Sequence, residues 1–304
     1  MEDIPINSLS KIPQIDPKPL TEETPIPANA SAVEQSGKIV PFPTASLRGM
    51  KIHMVSRSQT VDYLMDCSAE KTGGWVVTPN LDILRRYTRS VSFRNLVATS
   101  TLSVADGMPL VWASRVKGHP LPGRVNGTDL MIDVCESASL TGRSVFFLGG
   151  NEGSAEKTAE SLQKDFPELK IAGCHCPEFG FEKKIENVEE IAKILTEADP
   201  DFVFVGLGSP KQDVLINMLR LKFPRVWWLG VGVSFSFVAG ELPRAPNWAK
   251  KSGFEWLYRL VAEPRRLFKR YLVTGIPFLI TTIAVSAYER FFQNKTECAI
   301  EAGK

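Results

Sequence analysis

The residues best suited to chemistry in this 304-residue chain stand directly behind short apolar runs. Thr78-Pro79-Asn80 follows Trp75-Val76-Val77, and Asp106-Gly107 follows Leu102-Ser103-Val104-Ala105. Gly149-Gly150 follows Phe146-Phe147-Leu148, and Gly206-Leu207-Gly208-Ser209-Pro210-Lys211-Gln212 follows Phe202-Val203-Phe204-Val205. If the runs are parallel strands, all four places lie beyond carboxyl ends, where open α/β sheets bind their ligands. Asp106 is the only carboxylate directly behind such a run, and Gly107 lets a ligand approach the backbone. An aspartate there could take a proton from a hydroxyl as that hydroxyl attacks. The plainer alternative is a cap on the following helix.

The glycine pairs suggest phosphate. Gly149-Gly150-Asn151-Glu152-Gly153 leads into a helical pattern, and unpaired N–H groups at a helix start suit a pyrophosphate. The string lacks the full G-x-G-x-x-G spacing and has no acidic ribose partner about 20 residues on, which argues against a nicotinamide dinucleotide. Gly206-Leu207-Gly208 makes a tight turn, with Lys211 and Gln212 able to reach a phosphate or sugar from the next helix; a turn that simply needs glycine is the alternative. Two metal-like strings are set aside. Asp199-Pro200-Asp201 precedes its strand, at the end opposite the other candidates, and reads as a turn. Cys174-His175-Cys176 has the wrong spacing and no second ligand pair for zinc.

These residues need a scaffold. Strands are expected at 74–78, 102–105, 144–148, 170–172, 201–205 and 226–229, alternating with helices at 82–90, 129–138, 154–166, 185–198 and 211–222. That alternation is the pattern of an α/β domain with a Rossmann-like, mostly parallel sheet flanked by helices. Hydrophobic residues make up 43% of the chain, enough for one large core. The 36 basic residues nearly balance the 34 acidic ones, which does not predict a nucleic-acid partner. Five cysteines, mostly in apolar runs, fit a reducing compartment, and the Met1-Glu2-Asp3 start has no secretory signature. Residues 1–47 are proline-rich without apolar period and are expected to be a disordered extension. The catalytic core is expected over 48–243, a helical appendage over 244–293 and a short tail over 294–304.

The appendage is cationic. Between Arg244 and Arg270 the basic residues Arg244, Lys250, Lys251, Arg259, Arg265, Arg266, Lys269 and Arg270 are opposed only by Glu255 and Glu263. On a helical wheel Arg265, Arg266, Lys269 and Arg270 share one arc, opposite Leu267, Phe268, Tyr271 and Leu272, as in a basic amphipathic helix lying on an anionic bilayer. Residues 271–288 are uncharged, but Gly275, Pro277, Thr281, Thr282 and Ser286 dilute the stretch, which favours an in-plane or core-docked helix over a span.

Taken in order, these strings resemble the WecG/TagA/CpsF family of glycosyltransferases. The resemblance is carried by Thr78-Pro79-Asn80-Leu81-Asp82, Ala105-Asp106-Gly107-Met108-Pro109, Gly123-Arg124-Val125-Asn126-Gly127-Thr128-Asp129-Leu130, Phe147-Leu148-Gly149-Gly150, Val205 to Gln212, Gly230-Val231-Gly232, Arg244 to Trp248, and Glu255 to Arg266, across residues 50 to about 272. It implies an inverting transferase that needs no metal or cofactor. The donor would be a UDP-sugar carrying N-acetylmannosamine, its uronate or glucose, and the acceptor a polyprenyl-diphosphate-linked sugar. It implies Asp106 as base, and Thr78, Asn80, Arg124 and Gln212 in the sugar pocket. Asn126, Gly149, Gly150, Gly206, Gly208, Lys211 and Arg244 join them as substrate-binding candidates. Arg259, Arg265, Arg266 and Arg270 would neutralise the departing diphosphate, since guanidinium groups can pair two phosphate oxygens when no metal is present. Work on a lipid-linked acceptor implies the cytoplasmic face of a bacterial inner membrane. Many members carry glycine where this chain has Pro109, which removes an N–H on the acceptor side. The sequence is compatible with a homo-oligomer. Rival functions are a nicotinamide-dependent oxidoreductase and a non-catalytic membrane-associated nucleotide-binding protein.

Overall fold

The computed structural model describes residues 40–178, 180–181, 185–246, 255–262 and 264–302. A hairpin, β1 (Thr44–Leu47) with β2 (Met50–His53), precedes α1 (Arg57–Ala69). Then come β3 (Gly74–Val77), α2 (Leu81–Arg89), α3 (Val91–Val97), β4 (Leu102–Ser103), α4 (Met108–Lys117), α5 (Gly127–Thr141), β5 (Ser144–Gly149), α6 (Ser154–Asp165) and β6 (Lys170–His175). The core closes with α7 (Ile185–Ala198), β7 (Phe202–Gly206), α8 (Lys211–Leu219), β8 (Trp227–Gly230) and α9 (Ser234–Val238). The six later strands form one sheet in the order β4-β3-β8-β7-β5-β6, and every pairing in it is parallel. This is the α/β sheet expected from the alternation of elements.

Successive strand residues face opposite sides, so a sheet covered on both faces must be apolar at every position. Trp75, Phe146, Leu148, Val203 and Trp228 point into the layer holding the hairpin and α2, α4 and α8. Val76, Phe147, Phe202, Phe204 and Trp227 point into the layer holding α1, α5 and α9. Trp75, Trp227 and Trp228 are fully buried, so these tryptophans serve packing.

The hairpin was not expected: β1 falls inside the stretch read as an extension, with Ala45 and Leu47 buried. Its two-residue loop, Arg48-Gly49, has positive φ at both positions (52° and 84°). Asparagine or glycine usually fills such positions, because a left-handed β-carbon costs about 1–2 kcal/mol. Four residues cannot display enough period to be read as a strand, and the signal lay among prolines. His53 pins the hairpin to the sheet: its Nδ1 accepts from Ser103 N at 3.0 Å, and burial lowers its pKa.

The C-terminal segment comprises α10 (Glu255–Ala262), α11 (Pro264–Phe268), a π-helical stretch (Lys269–Gly275) and a terminal helix, α12 (Ile276–Ala302), which runs through most of the expected tail. The expected apolar arc is not kept. Leu267 is buried, but Phe268 is exposed beside Arg265, Lys269 and Arg270. The terminal helix packs along α4 with Phe278, Thr282 and Ser286 turned inward and buried. Lys117 locks that contact, its ammonium donating to Ser46 O at 2.6 Å and pairing with Glu289 at 2.6 Å.

Candidate active site

Backbone bonds gather the β3 and β4 ends into one unit. Asp106 N donates to Pro79 O (2.8 Å), Val125 N donates to Ala105 O (2.7 Å), and Thr78 Oγ1 donates to Gly230 O (3.1 Å). Asp106, half-buried, therefore stands between the Thr78–Asn80 loop and the Arg124–Asn126 loop. α2, α4 and α5 all begin here, and their N-terminal ends carry partial positive charge that favours an anionic ligand. Asp106 is not the cap of α4, because that position is Gly107 at φ 132°. Pro109 falls in the first turn, where the lost N–H would have had no helical partner, so its departure from the family string is accommodated.

Asn80 and Asn126 are the caps. Asn80 Oδ1 accepts from Asp82 N and Ile83 N (3.0 Å each), and Asn126 Oδ1 accepts from Thr128 N (2.8 Å) and Asp129 N (3.2 Å). With each oxygen engaged, the Nδ2 donors are what a ligand can meet.

The C-terminal segment reaches this unit at two points. Arg124 Nη1 pairs with Glu255 Oε2 of α10 at 2.5 Å, both side chains largely buried, and Arg270 Nη2 lies 3.6 Å from Asp82 Oδ2 in the first turn of α2. Trp256 stacks edge-on against Tyr271 between these tethers, with ring centroids 6.3 Å apart. Arg244 pairs with Asp129, which Arg57 also approaches at 3.4 Å. Arg265 is exposed, while the side chains of Arg259 and Arg266 and the whole of 247–254 lie outside the described residues. Sequence reasoning missed the acidic partners Asp82, Asp129 and Glu255. The one available signal was that Asp82 and Asp129 stand in first helical turns, where carboxylates favour the dipole.

The β5–β7 side differs from expectation. The chain leaves β5 toward β6 and β7 toward β8, so the strand order reverses between β5 and β7, the usual ligand crevice of such sheets. Here a β-carbon on Gly149 would lie 2.7 Å from Leu207 Cδ2, and one on Gly206 would lie 2.7 Å from Phe235 Cδ2. A β-carbon on Gly150 would meet the same phenyl ring at 3.0 Å. These glycines make room for Leu207 and Phe235. The start of α6, read as a pyrophosphate site, holds a carboxylate instead: both Glu241 oxygens accept from Ser154 Oγ at 2.7 and 2.8 Å. That hydroxyl, with Ser236, Asn151 and Lys157, lowers the Glu241 pKa, so the position is anionic.

Open backbone lies instead toward β8. Gly208 and Gly232 have positive φ (74° and 58°), and nothing stands within 4 Å of where their β-carbons would be. Both donate N–H to buried Gln212 Oε1 at 3.1 Å, so Gln212 staples the two loops rather than offering its oxygen outward. Lys211 opens α8, half-buried. Beneath the loop, Ser209 Oγ donates to Asp213 at 2.6 Å, and burial raises the Asp213 pKa to about 6.

At the other end of the sheet Asp201 accepts from Ser144 N at 2.9 Å, so this aspartate serves the strand starts. Cys174 and Cys176 have thiol pKa values raised by burial and by Glu156.

A Bacillus spizizenii protein named N-acetylglucosaminyldiphosphoundecaprenol N-acetyl-beta-D-mannosaminyltransferase is 31% identical over 73% of this chain and 82% of its own length. Proteins of the same name from Bacillus subtilis (28% identical, 75% and 86% covered) and Staphylococcus aureus strain NCTC 8325 (30%, 69% and 79%) are similarly related. The model of the glycosyl transferase WecG/TagA/CpsF family matches residues 45–291, from the hairpin through most of the terminal helix, and the chain belongs to that family.

Proposed function

We propose that this glycosyltransferase moves a sugar from a UDP-sugar to a polyprenyl-diphosphate-linked saccharide, inverting at the anomeric carbon and using no metal ion. Among N-acetylmannosamine, its uronate and glucose, the relatives' names favour N-acetylmannosamine, with diphospholipid-linked N-acetylglucosamine as acceptor. The observation that carries the mechanism is Asp106 fixed by Pro79 O and flanked by three helix starts. Its carboxylate takes the proton of the acceptor hydroxyl, whose oxygen forms the new bond to the anomeric carbon as the bond to the diphosphate breaks. Asn80 and Asn126 offer amide donors to the sugar, and Thr78 and Gln212 hold the loops that shape its pocket. The diphosphate lies toward Gly208, Arg124 and the C-terminal arginines Arg259, Arg265 and Arg266, because Glu241 repels it from α6. Arg244, steadied by Asp129, borders the same mouth.

We infer membrane docking from the terminal helix. Lys269–Phe292 is long and apolar enough to cross a bilayer, yet one of its faces is docked on α4. Among the described residues of 276–292 the outward ones recur every three or four positions, including Ile276, Ile280, Tyr288, Phe291 and Phe292, and Arg290 at the margin is the one exposed charge there. Thr282 and Ser286 turned inward while large apolar side chains face outward is not the pattern of a helix that faces water. A helix lying in the plane of an anionic cytoplasmic surface satisfies both faces and delivers Arg265, Lys269 and Arg270 to the headgroups.

The test is UDP release by the full chain from each candidate UDP-sugar, with a short-chain N-acetylglucosamine diphospholipid, with and without EDTA. Turnover unaffected by EDTA and abolished by Asp106→Asn is expected. Strict dependence on added metal, or NAD(P)H binding in place of turnover, would sink the mechanism.

A further inference from the structure

A cleft of about 440 Å³, away from Asp106, opens where the hairpin loop, α2, α3 and the terminal helix meet. Arg48, Gly49, Tyr87, Arg94, Val285 and Glu289 line it. Tyr87 organises its cationic side: its hydroxyl donates to Gly49 O at 3.0 Å, and the Arg94 guanidinium stacks on its ring at 5.5 Å. Arg48 rests over the Phe278 ring at 5.8 Å, so both guanidinium groups face the same space. The one carboxylate in the wall, Glu289, is paired with Lys117 at 2.6 Å, which leaves the cleft net cationic.

Two further observations point to a ligand. Arg48 occupies a left-handed loop position at φ 52°, where the backbone would be served better by asparagine or glycine. Such strain persists where the side chain has a use. The cleft also borders the outward apolar face through Val285, which at 100° per residue lies about 20° from Phe292, while Glu289 falls on the docked side between Phe278 and Thr282 and Arg290 on the opposite margin. With that apolar face in the bilayer, the cleft opens at headgroup depth.

We propose that this cleft binds the phosphate of an anionic phospholipid, held by the forked donors of Arg48 and Arg94. The inference rests on the membrane-docking reading above. It gives the docked enzyme a fixed orientation, since a headgroup held beside the terminal helix sets which way the Asp106 end faces along the surface.

The experiment measures binding of the full chain to phosphatidylglycerol and phosphatidylcholine vesicles. The wild type should prefer phosphatidylglycerol, and Arg48→Lys with Arg94→Lys should lose about tenfold of that preference although charge is unchanged, because lysine lacks the planar fork. Arg48→Asn should lower the preference while leaving Tm unchanged or higher, a combination that a purely structural role does not produce. Inorganic phosphate at millimolar concentration should not displace the vesicles; displacement would identify a free-phosphate site and overturn the lipid assignment. An unchanged preference in the double lysine variant overturns the cleft alone. Failure of the wild type to bind either vesicle overturns membrane docking, and this inference with it.

Discussion

The two halves of the sheet's carboxyl end carry equally suggestive sequences and have opposite fates. On the β3–β4 side, Asp106, Asn80, Asn126 and Arg124 are held by backbone bonds and helix caps around ground where three helices begin. On the β5–β7 side, Gly149, Gly150 and Gly206 back onto Leu207 and Phe235, and Glu241 takes the start of α6. A glycine behind a strand can mean that a ligand approaches the backbone or that a neighbouring side chain does. Only the packing tells which.

That contrast can be broken by substitution. The largest effect is expected for Asp106→Asn, which should lower kcat by about 10²–10⁴-fold with Tm unchanged, as for removal of a general base. A stable, fully active variant would move the chemistry elsewhere. Gly149→Ala should destabilise by about 3 kcal/mol in urea titration, from the left-handed φ of 96° and the clash with Leu207, with the donor KM of the surviving enzyme unaltered. Gly208→Ala, strained but facing open space, should cost only about 1 kcal/mol while raising the donor KM. Reversal of that pair would return the ligand to the β5 side.

Asp213 gives a test in pH. Its folded pKa of about 6 lies above the ordinary carboxylate value, so the folded state holds a proton that the unfolded state releases. Stability should fall as pH rises from about 4 to about 6 and level off above, a change of about 3 kcal/mol. Asp213→Asn should flatten that window. The smallest effect belongs to Glu241→Gln, which should cost up to about 1 kcal/mol of stability and leave the donor KM within about twofold. A donor bound much more tightly would mean that the diphosphate does approach α6.

Much of the scaffold was legible before any coordinates. Six apolar runs of strand length, separated by helical stretches, dictate a buried parallel sheet because no other arrangement covers both faces. The position of Asp106 behind its run followed from the same rule. The hairpin escaped notice, as did α1, α3 and α4, because short or weakly patterned segments are decided by the surface they pack on. Gln212 illustrates the limit at the site itself: its type and place suggested a sugar ligand, while its buried oxygen is spent on Gly208 N and Gly232 N.

What the sequence determined by itself is the parallel sheet, the carboxyl-end placement of the chemistry-bearing loops and the cationic, apolar character of the C-terminal segment, all consequences of local pattern and chain order. The tertiary structure alone decided which glycines face open space, that Glu255 and Asp82 tether the C-terminal segment across the candidate site, and that the terminal helix turns Thr282 and Ser286 inward. Those outcomes depend on contacts between residues far apart in the chain, where packing and charge pairing act through space.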